Sequence, residues 1–244
     1  MCFNKDVSML VFLLGLMTSI KIFSKASKYP IQYELYNAMG IYIFFISLMQ
    51  LVEYFLWNNQ NFNTNKHQFW SVMILITLIL QVAAFYGGCY PLRNRINDTT
   101  AKFMDITFGI TIVASIYGLC IAYKKYGKFK TNPICKATTK YLPCRLEWSI
   151  LTEFKKSNIM YTIFMIGYLI TVFLATYIIF GYIGLGLGLS SFVMVSLYVK
   201  LTNSSAAAGG LWCFSIIILA ILFGIFENDT MPYFENEANF TKTN

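Results

Sequence analysis

The sequence is poor in charge and contains a single histidine. Charged residues make up 12% of its 244 residues, about half the fraction found in a typical soluble globular protein. Hydrophobic residues make up 57%, so the composition excludes an ordinary soluble domain and predicts an integral membrane protein. The net charge of +8 does not form a basic stripe on a soluble fold, and no nucleic-acid partner is expected.

Several enzyme classes are excluded by residues that the chain lacks. His67 is the single histidine, so a three-histidine catalytic zinc site cannot be built within one chain. The single histidine also disfavours a Ser-His-Asp triad. The six cysteines include no Cys-x-x-Cys pair, which disfavours a structural zinc site. No pair of carboxylates has the spacing of a hydrolase, and no glycine-rich phosphate loop follows a strand. We therefore predict a protein that is not an enzyme and holds no metal or cofactor.

Seven apolar runs of 17 to 22 residues follow one another along the chain. A helix of about 20 residues spans the roughly 30 Å hydrocarbon core of a bilayer. The predicted fold class is all-α: a polytopic transmembrane bundle of seven helices over residues 1–226, with a long basic loop at 124–157 and an acidic tail at 227–244. The seven runs are 7–23, 38–57, 69–88, 104–123, 159–180, 182–199 and 206–226.

Gly181 alone separates the fifth and sixth runs. Together these runs are too long for one span, so a tight helical hairpin is favoured over one broken element. Gly184, Gly188 and Ser191 fall on the same helix face as Gly181. This spacing is typical of a seam of small residues for close helix packing and does not indicate an ion-conducting element.

The predicted orientation places the N-terminus in the cytoplasm. Twelve Lys and Arg residues lie on the N-terminal side and seven on the other, and the excess marks the cytoplasmic side. This count depends on the loop at 124–157, because without it the bias reverses to three against seven. Candidate glycosylation sites at Asn97, Asn228 and Asn239 lie on the C-terminal side, in agreement with this orientation, whereas a fourth at Asn203 lies on the other side.

Glu53 is the strongest single candidate for a functional residue. It lies one helical turn inside the second run, and a carboxylate within a membrane usually faces the bundle interior and marks an ion or substrate path. Gln50 lies on the same helix face and Gln81 lies midway along the third run, so the three could form a polar path. Alternatively, Glu53 reaches the interface and the glutamines are hydrogen-bonded packing contacts between helices. Asp105, at the start of the fourth run, is expected to cap that helix.

Three short segments resemble a family of multi-pass membrane proteins that begin Met-Cys-Trp and occur in giant viruses of protists and in some microbes. These segments are residues 1–8, where Phe3 replaces the tryptophan, residues 49–57 and residues 210–214. The resemblance implies a seven-helix outline, a viral or host endomembrane location and a site, but no activity. The implied site residues, all expected toward the N-terminal face of the bundle, are Cys2, Gln50, Glu53, Trp57, Trp212 and Cys213.

Two functions agree with these observations. The first is a channel or transporter for an ion or small solute, with its polar path at Glu53. The alternative is a structural or scaffolding protein of a viral or host-derived membrane, whose loop carries a net charge of +7 and contacts lipid or a capsid protein. The partners we expect are the lipid bilayer, anionic lipids in particular, and further copies of the same chain.

Overall fold

The computed structural model of the chain describes residues 5–29, 32–134, 145–157 and 159–201. Its elements confirm the all-α class, to which they add one short antiparallel ribbon of two strands. The elements are α1 (Lys5–Ala26), α2 (Tyr33–Asn58), α3 (Asn65–Cys89), the 3₁₀ helix η1 (Tyr90–Arg95), α4 (Asp98–Lys124), β1 (Asn132–Ile134), β2 (Arg145–Glu147), α5 (Ser149–Lys155) and α6 (Ile159–Leu201).

Within the described part of the chain, five helices are long and apolar enough to cross a membrane, so the protein is a membrane-embedded helical bundle. They correspond to the first five predicted runs. The sixth run contributes a shorter apolar helix, Gly184–Met194, and the seventh run and the tail lie outside the described residues. The total of seven spans therefore stays a prediction. The five helices are Lys5–Ala26, Tyr33–Asn58, Asn65–Asn94, Asp98–Lys124 and Ile159–Tyr182.

The helices pack as sequential neighbours, with α2 between α1 and α3, and α6 against α3 and α4. Glycines allow two of these pairs to approach closely. A Cβ atom at Gly15 would collide with Ser47 across the α1–α2 contact, and one at Gly167 would collide with Thr111 across the α4–α6 contact. Small residues serve this purpose in membrane bundles, where close van der Waals packing replaces the hydrophobic effect between helices.

The hairpin predicted at Gly181 is confirmed. Gly181 has φ 64° and ψ −160° inside α6, a conformation that glycine adopts readily because it has no Cβ. The rings of Phe173 and Phe192 lie 5.9 Å apart, whereas a straight helix would separate them by about 28 Å. A Cβ at Gly188 would lie 3.7 Å from both Phe173 and Thr176, so the predicted seam faces the first half of the hairpin.

The helix α4 begins earlier than its apolar run. Asn97 is its N-cap, because the Asn97 side chain accepts a hydrogen bond from the Thr100 N–H at 2.7 Å. Asp105 therefore lies two turns inside the helix, and the prediction that it caps α4 is wrong. The first turn of α4 is polar, so the apolar pattern placed the start of the helix too late and assigned this turn to a loop. Asn97 is exposed, while the other glycosylation candidates, Asn228 and Asn239, lie outside the described residues.

The segment predicted as a basic loop at 124–157 is folded where the structure describes it. Residues 125–134 and 145–157, which we name the cap, contain the ribbon, with Asn132 opposite Glu147, and the helix α5. Their apolar residues are interrupted by polar residues and do not form a long run, yet they are buried in the protein. The interpretation as a plain loop is therefore wrong for these residues. The buried apolar residues of the cap are Phe129, Leu146, Trp148, Ile150 and Phe154.

The bundle has two distinct ends. Because successive helices run in opposite directions, the start of α1, the α2–α3 connection and the cap lie at one end, the cap end. The α1–α2 connection and η1 lie at the opposite end. Gln68 shows that the two segments meet there, because its side-chain amide donates hydrogen bonds to the carbonyls of both Phe62, in the α2–α3 connection, and Phe129, in the cap.

Candidate functional site

Glu53 lies inside the protein at the cap end. It is 2% exposed, near the C-terminus of the membrane-spanning helix α2. The Trp148 indole N–H donates a hydrogen bond to Glu53 Oε1 at 3.2 Å. Trp148 directly precedes α5 and is itself buried, so the cap is in direct contact with this carboxylate.

Gln50 shares the buried face of α2 with Glu53. It is 0% exposed and lies three residues earlier, which places it on the same side of the helix and about 4.5 Å along the axis. The backbone thus brings together the two α2 residues that the sequence predicted to act as a pair.

Gln81 lies apart from this pair. Its Nε2 donates to the Phe45 carbonyl at 2.9 Å, and its Oε1 accepts from the Tyr168 hydroxyl at 2.6 Å. Phe45 is about 12 Å from Glu53 along the axis of α2. Gln81 therefore links α2, α3 and α6 as a buried packing contact, in agreement with the alternative interpretation of this residue.

Three predicted site residues, Cys2, Trp212 and Cys213, lie outside the described residues. Their approach to Glu53 stays a prediction. Among the described residues, Trp148 donates a hydrogen bond to Glu53, and the sequence did not single out this residue.

A group of polar residues at the start of α3 holds the cap in place. The Gln68 amide donates to the Phe129 carbonyl at 2.8 Å and accepts from the Phe129 N–H at 2.9 Å. The same amide donates to the Phe62 carbonyl at 2.8 Å. One buried glutamine thus satisfies backbone groups of two separate connections, which would otherwise be buried without partners.

His67 and Ser71 bind the next residue of the cap, Thr131. His67 Nε2 accepts the Thr131 N–H at 3.2 Å, so the ring proton is on Nδ1, which donates to the Asn59 carbonyl at 2.6 Å. The hydroxyls of Ser71 and Thr131 lie 2.9 Å apart, and that of Ser149 lies 3.1 Å beyond. We name the contacts of His67, Gln68 and Ser71 with the cap the clasp.

The outer surface of the cap and of the adjoining end of α4 is positively charged. Glu153 lies 3.9 Å from the Lys125 ammonium and also pairs with Lys156. The pair with Lys125 joins the end of α4 to α5, and the pair with Lys156 is local to α5. The two pairs leave an excess of positive charge on this face. The exposed lysines are Lys124, Lys125, Lys128, Lys130, Lys155 and Lys156.

A second carboxylate lies at the opposite end, where it is paired with a cation. Arg93 of η1 binds Asp105 with both nitrogens, at 3.1 and 2.7 Å, and the Tyr86 hydroxyl donates to Asp105 at 2.8 Å. The Asp105 side chain is 38% exposed, and the guanidinium also lies over the Tyr90 ring. This arrangement is a bidentate ion pair that joins η1 to α4.

Within residues 5–134, 145–157 and 159–201, apart from the undescribed positions 30 and 31, no group of three His, Cys, Asp or Glu could hold a metal ion. The clasp contains one imidazole, and both of its nitrogens are engaged by backbone groups. Around Glu53, the described groups are its own carboxylate, the Trp148 indole N–H and the Gln50 side chain on the same helix face.

No protein-family model matches this chain, and no curated protein or solved structure is significantly similar to it. The resemblance to the proteins that begin Met-Cys-Trp stays a prediction. What the site does is therefore inferred from its geometry.

Proposed function

We propose that the protein is a channel or transporter for a small monovalent cation, with Glu53 as the cation-binding residue. The supporting observation is that a carboxylate inside a membrane-spanning helix is 2% exposed and lies against the cap. An ionisable side chain within a span is costly and is usually retained because it binds an ion or a substrate.

The chemistry around Glu53 favours a monovalent cation over a divalent one. Calcium is bound by six to eight oxygen atoms, typically from several carboxylates, and the described residues contain no acidic cluster of that kind. Glu53 supplies one negative charge, and the Gln50 amide lies one turn away. Such a site suits a proton or an alkali-metal ion, whose charge one carboxylate can balance.

The carboxylate at the opposite end does not suit this role. Asp105 is already balanced by the bidentate guanidinium of Arg93, which would have to leave before a cation could bind. Asp105 thus already has a cationic partner, whereas the Trp148 indole N–H at Glu53 is a neutral donor.

The test is cation flux into liposomes that contain the full-length protein, measured as radioactive rubidium uptake and as proton uptake with an entrapped pH dye. Glu53→Gln should lower the flux at least about tenfold, the change that corresponds to 1.4 kcal/mol of lost binding free energy. The matched control is Glu34→Gln, because Glu34 is an exposed carboxylate on the same helix. Equal flux in Glu53→Gln and the native protein, or no flux above empty liposomes, would contradict the proposal.

The exposed lysines of the cap region support a second function, a scaffold bound to an anionic membrane surface. Each basic residue near such a surface contributes about 1 kcal/mol of attraction, screened within a Debye length. Phosphatidylglycerol should then raise the melting temperature of the detergent-solubilised protein more than phosphatidylcholine does. This difference in melting temperature between the two lipids should be smaller in the double variant Lys128→Gln/Lys130→Gln and at high salt. A difference that changes in neither case would contradict the scaffold function.

A further inference from the structure

We infer that phospholipid surrounds the bundle at two fixed levels, which exposed aromatic residues mark about 30 Å apart along the helix axes. The partner is thus a bilayer whose hydrocarbon core has this thickness, with acyl chains between the two levels and headgroups at them. The inference concerns the outer surface of the spanning helices, and it stands whether or not the protein conducts a cation.

The exposed face of α4 carries the whole pattern, with a cation beside an aromatic ring at each end. At the opposite end these residues are Lys102 and Phe103. At the cap end they are Tyr123 and Lys124. The large aliphatic residues exposed between the two rings are Ile106, Ile110, Val113, Ile116 and Leu119.

The two rings of α4 are separated by the thickness of a bilayer core. Phe103 and Tyr123 are 20 residues apart, which corresponds to about 30 Å of helix, and the hydrocarbon core of a typical bilayer is roughly 30 Å thick. Tyr117 is also exposed between them, but its ring lies 6.5 Å from that of Phe154. It therefore lies beside α5, close to the cap end.

The neighbouring helix α3 repeats the pattern in the reverse direction. Lys66 and Phe69 are exposed at the cap end, and Tyr90 is exposed at the opposite end, three residues before Arg93. Leu80 is the large apolar residue exposed between the two rings. The rings are 21 residues apart, or about 31 Å along the helix. Two antiparallel helices thus place their aromatic residues at the same two levels.

Exposed aromatic residues lie near the opposite end of all five spanning helices that the structure describes. Besides α3 and α4, the α1–α2 connection and the turn at Gly181 contribute them. We name this set the opposite belt: Tyr29, Tyr33, Tyr90, Phe103 and Tyr182. An aromatic level that recurs on every described span goes around the bundle.

Aromatic rings beside cations at two such levels match the chemistry of a phospholipid interface. Aromatic residues are enriched at headgroup level, and lysine reaches the phosphates from the edge of the core. Lys66, Lys102 and Lys124 are exposed beside the rings, so their charge complements that of the phosphates. A second copy of the chain would cover one face of the bundle and would not account for a belt on every described span.

The native protein tests the thickness. Its melting temperature should be compared in vesicles of dimyristoleoyl-, dioleoyl-, dieicosenoyl- and dierucoyl-phosphatidylcholine, in order of increasing thickness. We expect a maximum in one of the two intermediate lipids and a value lower by about 3 °C or more in the thinnest and the thickest, because mismatch costs free energy. The same melting temperature in all four lipids, or a steady rise or fall across them, would overturn the matched band.

Two matched substitutions test the levels. Val113 and Ile106 are both β-branched and both 61% exposed on α4. Val113 is ten residues from both Phe103 and Tyr123, about 15 Å from either level, whereas Ile106 is about 4.5 Å from Phe103 along the axis. A lysine is costly at the centre of the core and much less so near its edge. In dioleoyl-phosphatidylcholine vesicles, Val113→Lys should lower the melting temperature by at least about 5 °C, and Ile106→Lys by less than half as much.

The outcomes of this pair separate lipid from the other possible occupants of the face. Recovery of Ile106→Lys in the membrane fraction, together with loss of Val113→Lys from it, would support the lipid levels in the same way as the melting temperatures. Equal effects of the two substitutions would overturn them. Dissociation of a native oligomer by both variants, measured by cross-linking in the vesicles, would assign the face to a second copy of the chain instead.

Discussion

The two ends of the bundle each hold a carboxylate within a spanning helix, and they compensate it in opposite ways. Asp105 is partly exposed and is bound by a guanidinium twelve residues earlier in the chain. Glu53 is buried and is bound by an indole N–H that lies 95 residues later. The first carboxylate is balanced locally by charge, whereas the second is covered by a folded segment that contributes a neutral donor.

This difference shows that a carboxylate in an apolar run does not by itself indicate whether the residue binds an ion or forms a structural ion pair. An ion pair such as that of Asp105 with Arg93 joins neighbouring elements, and this structural role is enough to explain the carboxylate. A buried carboxylate that receives a hydrogen bond from a distant segment, as Glu53 does from Trp148, couples that segment to the spanning helix. Substitutions at the two ends should therefore differ in how much they lower the free energy of unfolding and in whether they lower cation flux.

The largest expected effect is loss of the anchor that fixes the cap. Phe154 is fully buried, and Phe154→Ala should lower the free energy of unfolding in detergent by about 3–5 kcal/mol. The matched control is Phe103→Ala, because Phe103 is 48% exposed on the outer face of α4 and should change stability by less than about 0.5 kcal/mol. Equal effects of the two substitutions would show that the cap is not packed as described.

A second pair of substitutions removes one neutral donor from each carboxylate. Trp148→Phe deletes the donor to Glu53, and Tyr86→Phe deletes the hydroxyl donor to Asp105. We expect a loss of about 2 kcal/mol for Trp148→Phe and about 1 kcal/mol or less for Tyr86→Phe, because bonds to buried charged groups contribute more and Asp105 keeps Arg93. Unfolding measured by intrinsic fluorescence checks both values, and the reverse order would break the comparison.

The smallest expected effect concerns Gly127, in the turn that follows α4. Gly127→Ala places a Cβ at φ +87° and should cost about 1–2 kcal/mol, the strain of a left-handed conformation. Gly109→Ala is the control: its site in α4 is also open, but the backbone is helical, so the change should stabilise by about 0.5–1 kcal/mol. Thermal unfolding should give opposite signs, and the same sign for both would argue against a left-handed backbone at Gly127.

The spans and the hairpin were predictable because their cause is local. A span needs an unbroken apolar run, and Gly181 interrupts two such runs at a point where a turn is required. Glu53 could be recognised for the same reason, as a carboxylate within a run.

The cap and the clasp were not predictable because their cause lies in distant pairing. Gln68 and Phe129 are 61 residues apart, and His67 and Thr131 are 64 residues apart. Phe129 lies between two lysines, and the apolar residues of 146–154 alternate with polar ones over too short a stretch to form a spanning run. The start of α4 was missed for a related reason, since a polar first turn capped by Asn97 resembles a loop in hydropathy.

The central claim is that Glu53 is a cation site whereas Asp105 is a structural ion pair. The most direct test compares Glu53→Gln with Asp105→Asn in the same liposome rubidium-uptake assay, with each protein first shown to be monodisperse in detergent. The account predicts a loss of at least about tenfold for Glu53→Gln and native flux for Asp105→Asn. Full flux in Glu53→Gln, or an equal loss in both variants, would contradict it.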